Sequence, residues 1–162
     1  MFFEFDTITY YKTPIGTARI VGDESGISSV SVVDSEQESS EVIPEPLQEC
    51  VRQLDEYFNK ERKVFSLKLN PEGTDFQKSV WEELQRIPYG EKRSYLQQAE
   101  KMGDPKAIRA VANANAKNPL WIIVPCHRII GSDGSLTGYA GGLWRKRWLL
   151  EHENPPQQQS LF

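Results

Sequence analysis

The chain changes character at Asn70-Pro71-Glu72-Gly73, and that change limits its possible folds more than any other feature. Before it, short runs rich in Thr, Ile and Val at residues 3–11, 17–21 and 27–33 read as strands. Pro14-Ile15-Gly16 and Asp23-Glu24-Ser25-Gly26 supply the turns between them. The polar, acidic stretch 35–46 predicts an exposed loop. Leu47, Cys50, Val51, Leu54, Tyr57 and Phe58 then recur at helical spacing, so an amphipathic helix is expected over 46–59 with Cys50 buried as a small hydrophobe.

Beyond the boundary the pattern is helical. Thr74 is placed to cap a helix whose apolar positions are Phe76, Val80, Trp81, Leu84 and Ile87, stopped by Pro88-Tyr89-Gly90. Ser94 is placed to cap a second helix with Leu96, Ala99 and Met102 inward. Gly103-Asp104-Pro105 turns the chain into a third, over 106–116, with Ile108 and Val111 inward. Helix, short turn and helix make the outline of a helix-turn-helix, a pattern shared with many hairpins that bind nothing. The third helix carries Ala107, Ala110, Ala112, Ala114 and Ala116 with Arg109, Asn113 and Asn115 between them. Alanine is the best helix former. Small side chains also let a helix approach a groove roughly 6 Å wide. Residues 121–124 read as a short apolar strand ending at Pro125-Cys126-His127-Arg128. The glycine-bearing loop 131–134 is placed like a wing. A final helix after Gly141-Gly142 holds Leu143, Trp148, Leu149 and Leu150. The expected fold class is α/β: a small N-terminal α/β domain with antiparallel strands over 1–73, a helical, winged-helix-like domain over 74–153, and a flexible tail over 154–162.

Composition excludes several classes. No apolar run among the 162 residues approaches the roughly 18 that a membrane span needs. The start lacks a basic region followed by a long apolar stretch, so no signal peptide is expected, and the location expected is cytoplasmic. Two cysteines and two histidines, scattered, suit neither a disulfide framework nor a zinc site, and no metal or cofactor is expected. The net charge of −4 hides an asymmetry. Residues 1–73 carry seven Lys/Arg against fourteen Asp/Glu, whereas residues 74–153 carry twelve against nine. Only the second part suits a polyanion, with modest affinity from phosphate attraction alone.

Cys126, after an apolar run and a proline, stands where a reactive group is often held. His127, His152 and Glu153 lie in the same half of the chain. Cysteine, histidine and carboxylate form a nucleophile, base and orienter set. By spacing alone that set also suits a cysteine hydrolase, and the helical pair alone suits a non-catalytic DNA binder.

Three longer strings narrow this choice. NPLWIIVPCHRIIGSDGSLTGYAGGLWRKRWLLEHE, FQKSVWEELQRIPYGEKRSY and AIRAVANANAKNP together resemble the O6-alkylguanine-DNA alkyltransferases over residues 74–153. The resemblance implies repair by irreversible transfer of an alkyl group from O6 of guanine, and in some cases O4 of thymine, to Cys126, once per molecule. It implies that His127 contacts Cys126 through a water and that Glu153 orients His127. Asn118 would brace the turn beside the active site. Tyr95 would help rotate the nucleotide and hydrogen-bond the guanine. Arg109 would fill the gap left by the flipped base. Ala110, Asn113, Asn115, Lys117, Ser94 and Arg128 would join it against DNA. The carbonyls of Cys126 and Ile129, together with Tyr139 and the amide of Ala140, would line the base pocket. Two positions depart from the family pattern: Ala140 stands where some relatives have Ser, and Trp121 where proline is common, a place from which it would narrow or cover the pocket. The partner implied is double-stranded DNA carrying O6-alkylguanine, and a monomer is expected because one lesion needs one acceptor. Separately, Gln158, Leu161 and Phe162 sit in a tail that resembles the motif by which bacterial repair proteins dock on the sliding clamp.

Overall fold

A computed structural model describes residues 6–156. Gln158, Leu161 and Phe162 lie outside them, as do residues 3–5 of the first expected strand. Three strands, β1 (Thr7–Thr13), β2 (Gly16–Asp23) and β3 (Gly26–Val33), form an antiparallel sheet in the order β1-β2-β3. The turn into β2 needs glycine: Gly16 has φ +120°, and a Cβ there would sit 2.9 Å from Val32 Cγ2. Helix α1 (Glu45–Phe58) packs across β1 and β2 through Leu47, Cys50, Leu54 and Tyr57, all fully buried. Burial pushes the Cys50 thiol up to about 12, which makes it the inert hydrophobe expected.

The outer edge of β3 carries the rest of the chain. Ile27 bonds to Lys68 O and Asn70 N, and Val30 bonds to Pro119 O and Trp121 N. The backbone of the second half is thereby sewn to the sheet, and one apolar core runs through both. Helix α2 (Asp75–Leu84) begins with a capping box between Thr74 and Gln77. The two-residue strand β4 (Arg93–Ser94) leads into α3 (Tyr95–Lys101), which has its own capping box between Ser94 and Gln97. A 3-10 turn (Pro105–Ala107) precedes α4 (Ile108–Ala116). Helix α4 packs on α2 and α3, with Val111 and Ala114 inward, and the Trp81 indole donates to Ala114 O at 2.9 Å. Strand β5 (Ile129–Ile130) pairs in parallel with β4, and α5 (Leu143–Glu153) closes the chain. The wing-like loop closes on itself through Gly131 N to Ser135 O at 2.8 Å.

Some expectations fail. Residues 121–124 are not a strand but a buried turn, with Ile122 at φ +71°. A continuous apolar run marks burial on all sides, which a turn wrapped in the core satisfies as well as a strand. Leu96 and Ile108, expected inward, are each 37% exposed, on the outer faces of their helices.

Candidate active site

Asn118 sets the local geometry. Its side-chain carbonyl accepts from Leu120 N at 2.9 Å and its amide donates to Val124 O at 2.9 Å, so one side chain braces both ends of the 119–124 turn. The chain leaves that turn into a 3-10 turn, Cys126–Arg128. Successive residues there step by roughly a third of a revolution instead of alternating. Cys126 stays half-buried while His127 is fully buried.

Glu153, near the C-terminal end of α5, anchors the site. Its carboxylate receives His127 Nε2 at 2.7 Å, Arg128 Nε at 2.7 Å, Arg128 Nη2 at 2.9 Å, the Tyr57 hydroxyl at 2.7 Å and Gly90 N at 3.3 Å. Burial alone would raise the Glu153 carboxyl, but the hydrogen bonds of His127 and Arg128, with the Arg128 charge, outweigh it and hold it well below the usual carboxylate range. Burial pushes His127 the other way, below 6.5, against the partial support of Glu153. The imidazole is therefore neutral and gives its Nε2 proton to Glu153. Nδ1 then carries the lone pair, and it has no hydrogen-bond partner among the described residues. An oriented base results, one residue from the cysteine. Burial also pushes the Cys126 thiol up, while the Asn118 amide and the Lys146 ammonium pull it partly back.

Both shifts of the buried pair act in one direction on stability. Below pH 6.5 the unfolded chain binds a proton at His127 that the folded chain refuses; below about 4.5 the same holds for Glu153. The unfolding free energy is therefore expected to fall as pH drops below 6.5, at about 1.4 kcal/mol per pH unit per group. Urea melts from pH 7 to 4 check this. A flat profile would show that His127 is not held neutral.

Cys126 faces a cavity of about 130 Å³ that Trp121, Tyr139 and Ala140 also line. An engineered cavity of roughly 150 Å³ takes a benzene ring. Asn115 Oδ1, Trp121 Nε1 and Tyr139 Oη are buried without partners among the described residues, and all three residues line this cavity. Such groups are costly unless something polar meets them. Tyr139 is a neutral phenol, raised well above 10 by burial. At one side, Tyr95 Oη donates to Thr137 O at 3.4 Å and Lys146 Nζ donates to the same carbonyl at 2.9 Å.

The structure thus gathers Cys126, His127, Glu153, Asn118, Trp121, Tyr139 and Ala140, with Ile129 fully buried just after the Cys126 turn. Arg109, Ala110, Asn113 and Lys117 share the exposed face of α4, while Ser94 is the half-buried cap of α3. Two of the expected DNA contacts sit elsewhere. Arg128 is buried, bonding Glu153 with two nitrogens and Ile87 O with a third at 2.7 Å, because a guanidinium is what neutralises that carboxylate. Asn115 turns into the cavity. Sequence reasoning missed Tyr57 and Lys146. Lys146, Leu149 and Glu153 fall at i, i+3 and i+7, a spacing that places the lysine on the inward face of α5. Tyr57 left no signal beyond its place on an apolar stripe.

A cysteine beside an oriented imidazole and a cavity defines a protein built for nucleophilic chemistry at its own sulfur. Residues 75–155 match the family described as "6-O-methylguanine DNA methyltransferase, DNA binding domain", and residues 7–71 match "6-O-methylguanine DNA methyltransferase, ribonuclease-like domain". The chain is 49% identical over 152 residues to the methylated-DNA–protein-cysteine methyltransferase of Methanosarcina acetivorans, covering 88% of this chain and 95% of that one. It is 49% identical over 153 residues to that of Mycobacterium leprae, covering 92% and 93%. Among solved structures, the Mycobacterium tuberculosis O6-methylguanine methyltransferase superposes with a TM-score of 0.82 at 42% identity, covering 97% of this chain and 98% of that one. The M. tuberculosis OGT in complex with DNA gives 0.80 at 44% identity, covering 89% and 90%. The chain belongs to the methylated-DNA–protein-cysteine methyltransferase family.

Proposed function

We propose that this protein repairs DNA by moving an alkyl group from O6 of guanine to Cys126. The observation that carries the reading is His127, tied to Glu153 at Nε2 and without a partner at Nδ1 among the described residues, next to a cysteine that lines a cavity. His127 Nδ1 takes the thiol proton, through a water. The sulfur attacks the alkyl carbon in line; the C–S bond forms as the C–O bond breaks, and the electron pair stays on the guanine. Tyr95 Oη and the Ala140 N–H support the charge that develops there. The oxygen of a stacked base is out of reach of sulfur, so the nucleotide flips, at a few kcal/mol. The exposed face of α4, with Ala110 and Asn113, lies in the minor groove, and Arg109 fills the gap. The thioether has no hydrolytic exit, so each monomer acts once. The N-terminal part over 1–73 supports the site, and 74–153 holds both DNA and chemistry.

Incubation with duplex DNA bearing O6-methylguanine tests the reading. The Cys126 peptide should gain about 14 Da, near one methyl per chain. Cys126→Ser should gain nothing while still binding DNA. A wild-type thiol left unmodified in the presence of repairable lesions would sink the proposal, and repeated turnover would point to a hydrolase instead.

A further inference from the structure

The N-terminal sheet reaches the active-site cavity. Val30, Ser31 and Val32 of β3 line it together with Cys126. The strand is held in place by Val30 N donating to Pro119 O at 2.8 Å and Trp121 N donating to Val30 O at 2.9 Å. A second fastening runs through Arg145, which is buried although it carries a charge. Its Nε donates to Ile15 O at 2.7 Å and its Nη1 to Gly141 O at 2.8 Å, with Asp34 Oδ1 at 3.5 Å. One guanidinium therefore ties the β1–β2 turn to the 138–142 loop, which forms another part of the cavity wall. The fit is close: a Cβ on Gly141 would lie 3.5 Å from Val32 Cγ1, and one on Gly16 would meet Arg145 Nη2 at 3.0 Å.

We propose that Ser31 and Val32 are specificity-determining residues, and that Arg145 is a positioning residue that holds the 138–142 loop against them. The N-terminal half would then set the size of alkyl group accepted beside Cys126. The inference rests on the alkyl-transfer reading above. Bulk at the cavity wall discriminates alkyl chains by the space it leaves, about tenfold or more for each methylene that does not fit.

The test measures single-turnover rates of the full-length chain on duplexes carrying O6-methyl- or O6-butylguanine. Its readout is the butyl-to-methyl rate ratio, which a poorly folded fraction does not move because both rates fall together. Ser31 is exposed, so Ser31→Trp leaves the core intact and is expected to lower the ratio about tenfold. Val32→Ala is expected to raise it about tenfold, and Arg145→Met to raise it by releasing the loop. Ratios within about twofold of wild type in both Ser31→Trp and Val32→Ala would overturn the assignment of the wall. An unchanged ratio in Arg145→Met would overturn the clamp. Failure of the wild type on both lesions would instead overturn the alkyl-transfer reading.

Discussion

Replacing Glu153 by glutamine is expected to slow alkyl transfer at least about a hundredfold and to lower the unfolding free energy by about 3 kcal/mol. The size of the effect follows from the hydrogen bonds. Among the described residues Glu153 is met only by donors: His127 Nε2, two nitrogens of Arg128, the Tyr57 hydroxyl and Gly90 N. A carboxylate accepts from all of them. An amide of the same shape offers one acceptor atom and turns two N–H groups towards groups that already donate. The least costly relief is for His127 to shift its proton to Nδ1 and accept from the new amide. That removes the lone pair from the side that serves Cys126. The same wrong-tautomer logic makes the orienting carboxylate of a catalytic triad so sensitive. Arg128 meanwhile keeps a buried charge without its counter-ion, which accounts for the stability loss. Single-turnover rates and urea melts on one preparation check both halves. A large stability loss with an unchanged rate would show that the pair is structural only.

The expectations read from the residues alone that held rest on local chemistry. Thr74 and Ser94 were legible as caps because a capping box needs only four consecutive residues. The pairing of His127 with Glu153 came through resemblance; no spacing rule joins residues 26 positions apart. What stayed hidden depends on the approach of distant backbone. The apolar run at 121–124 carries no mark that separates a buried strand from a turn braced by Asn118. Arg128 was expected against DNA and Lys146 drew no expectation, because burial of a cation is rare without a partner, and the partners lie elsewhere in the chain: Glu153 for one, the Thr137 carbonyl for the other. The contribution of β3 to the cavity was likewise invisible, since nothing in a strand's alternation says which loop will pack beside its end.

Lys146→Met is expected to stabilise the protein at pH 7 by about 1–2 kcal/mol while slowing alkyl transfer about tenfold. The Lys146 side chain is fully buried. Burial lowers it from 10.5 to about 8, against the partial support of Cys126. Below about pH 8 both folded and unfolded chains carry the proton, and the folded chain bears the whole cost of a buried ammonium. Between 8 and 10.5 the unfolded chain still binds the proton that the folded chain has lost, so wild-type stability rises with pH across that window. The shift is worth about 3 kcal/mol in full, and the lost hydrogen bond to Thr137 O takes back about 1 to 2 of it. Methionine fills a similar volume without the charge, so the variant should gain stability at neutral pH and show no rise between pH 8 and 10.5. The rate should fall because the ammonium helps pull the Cys126 thiol down and, through Thr137, holds the carbonyl that also receives Tyr95. Urea melts at pH 7 and 10 with single-turnover rates at pH 7 decide the matter, and a variant both less stable and equally fast would refute the trade.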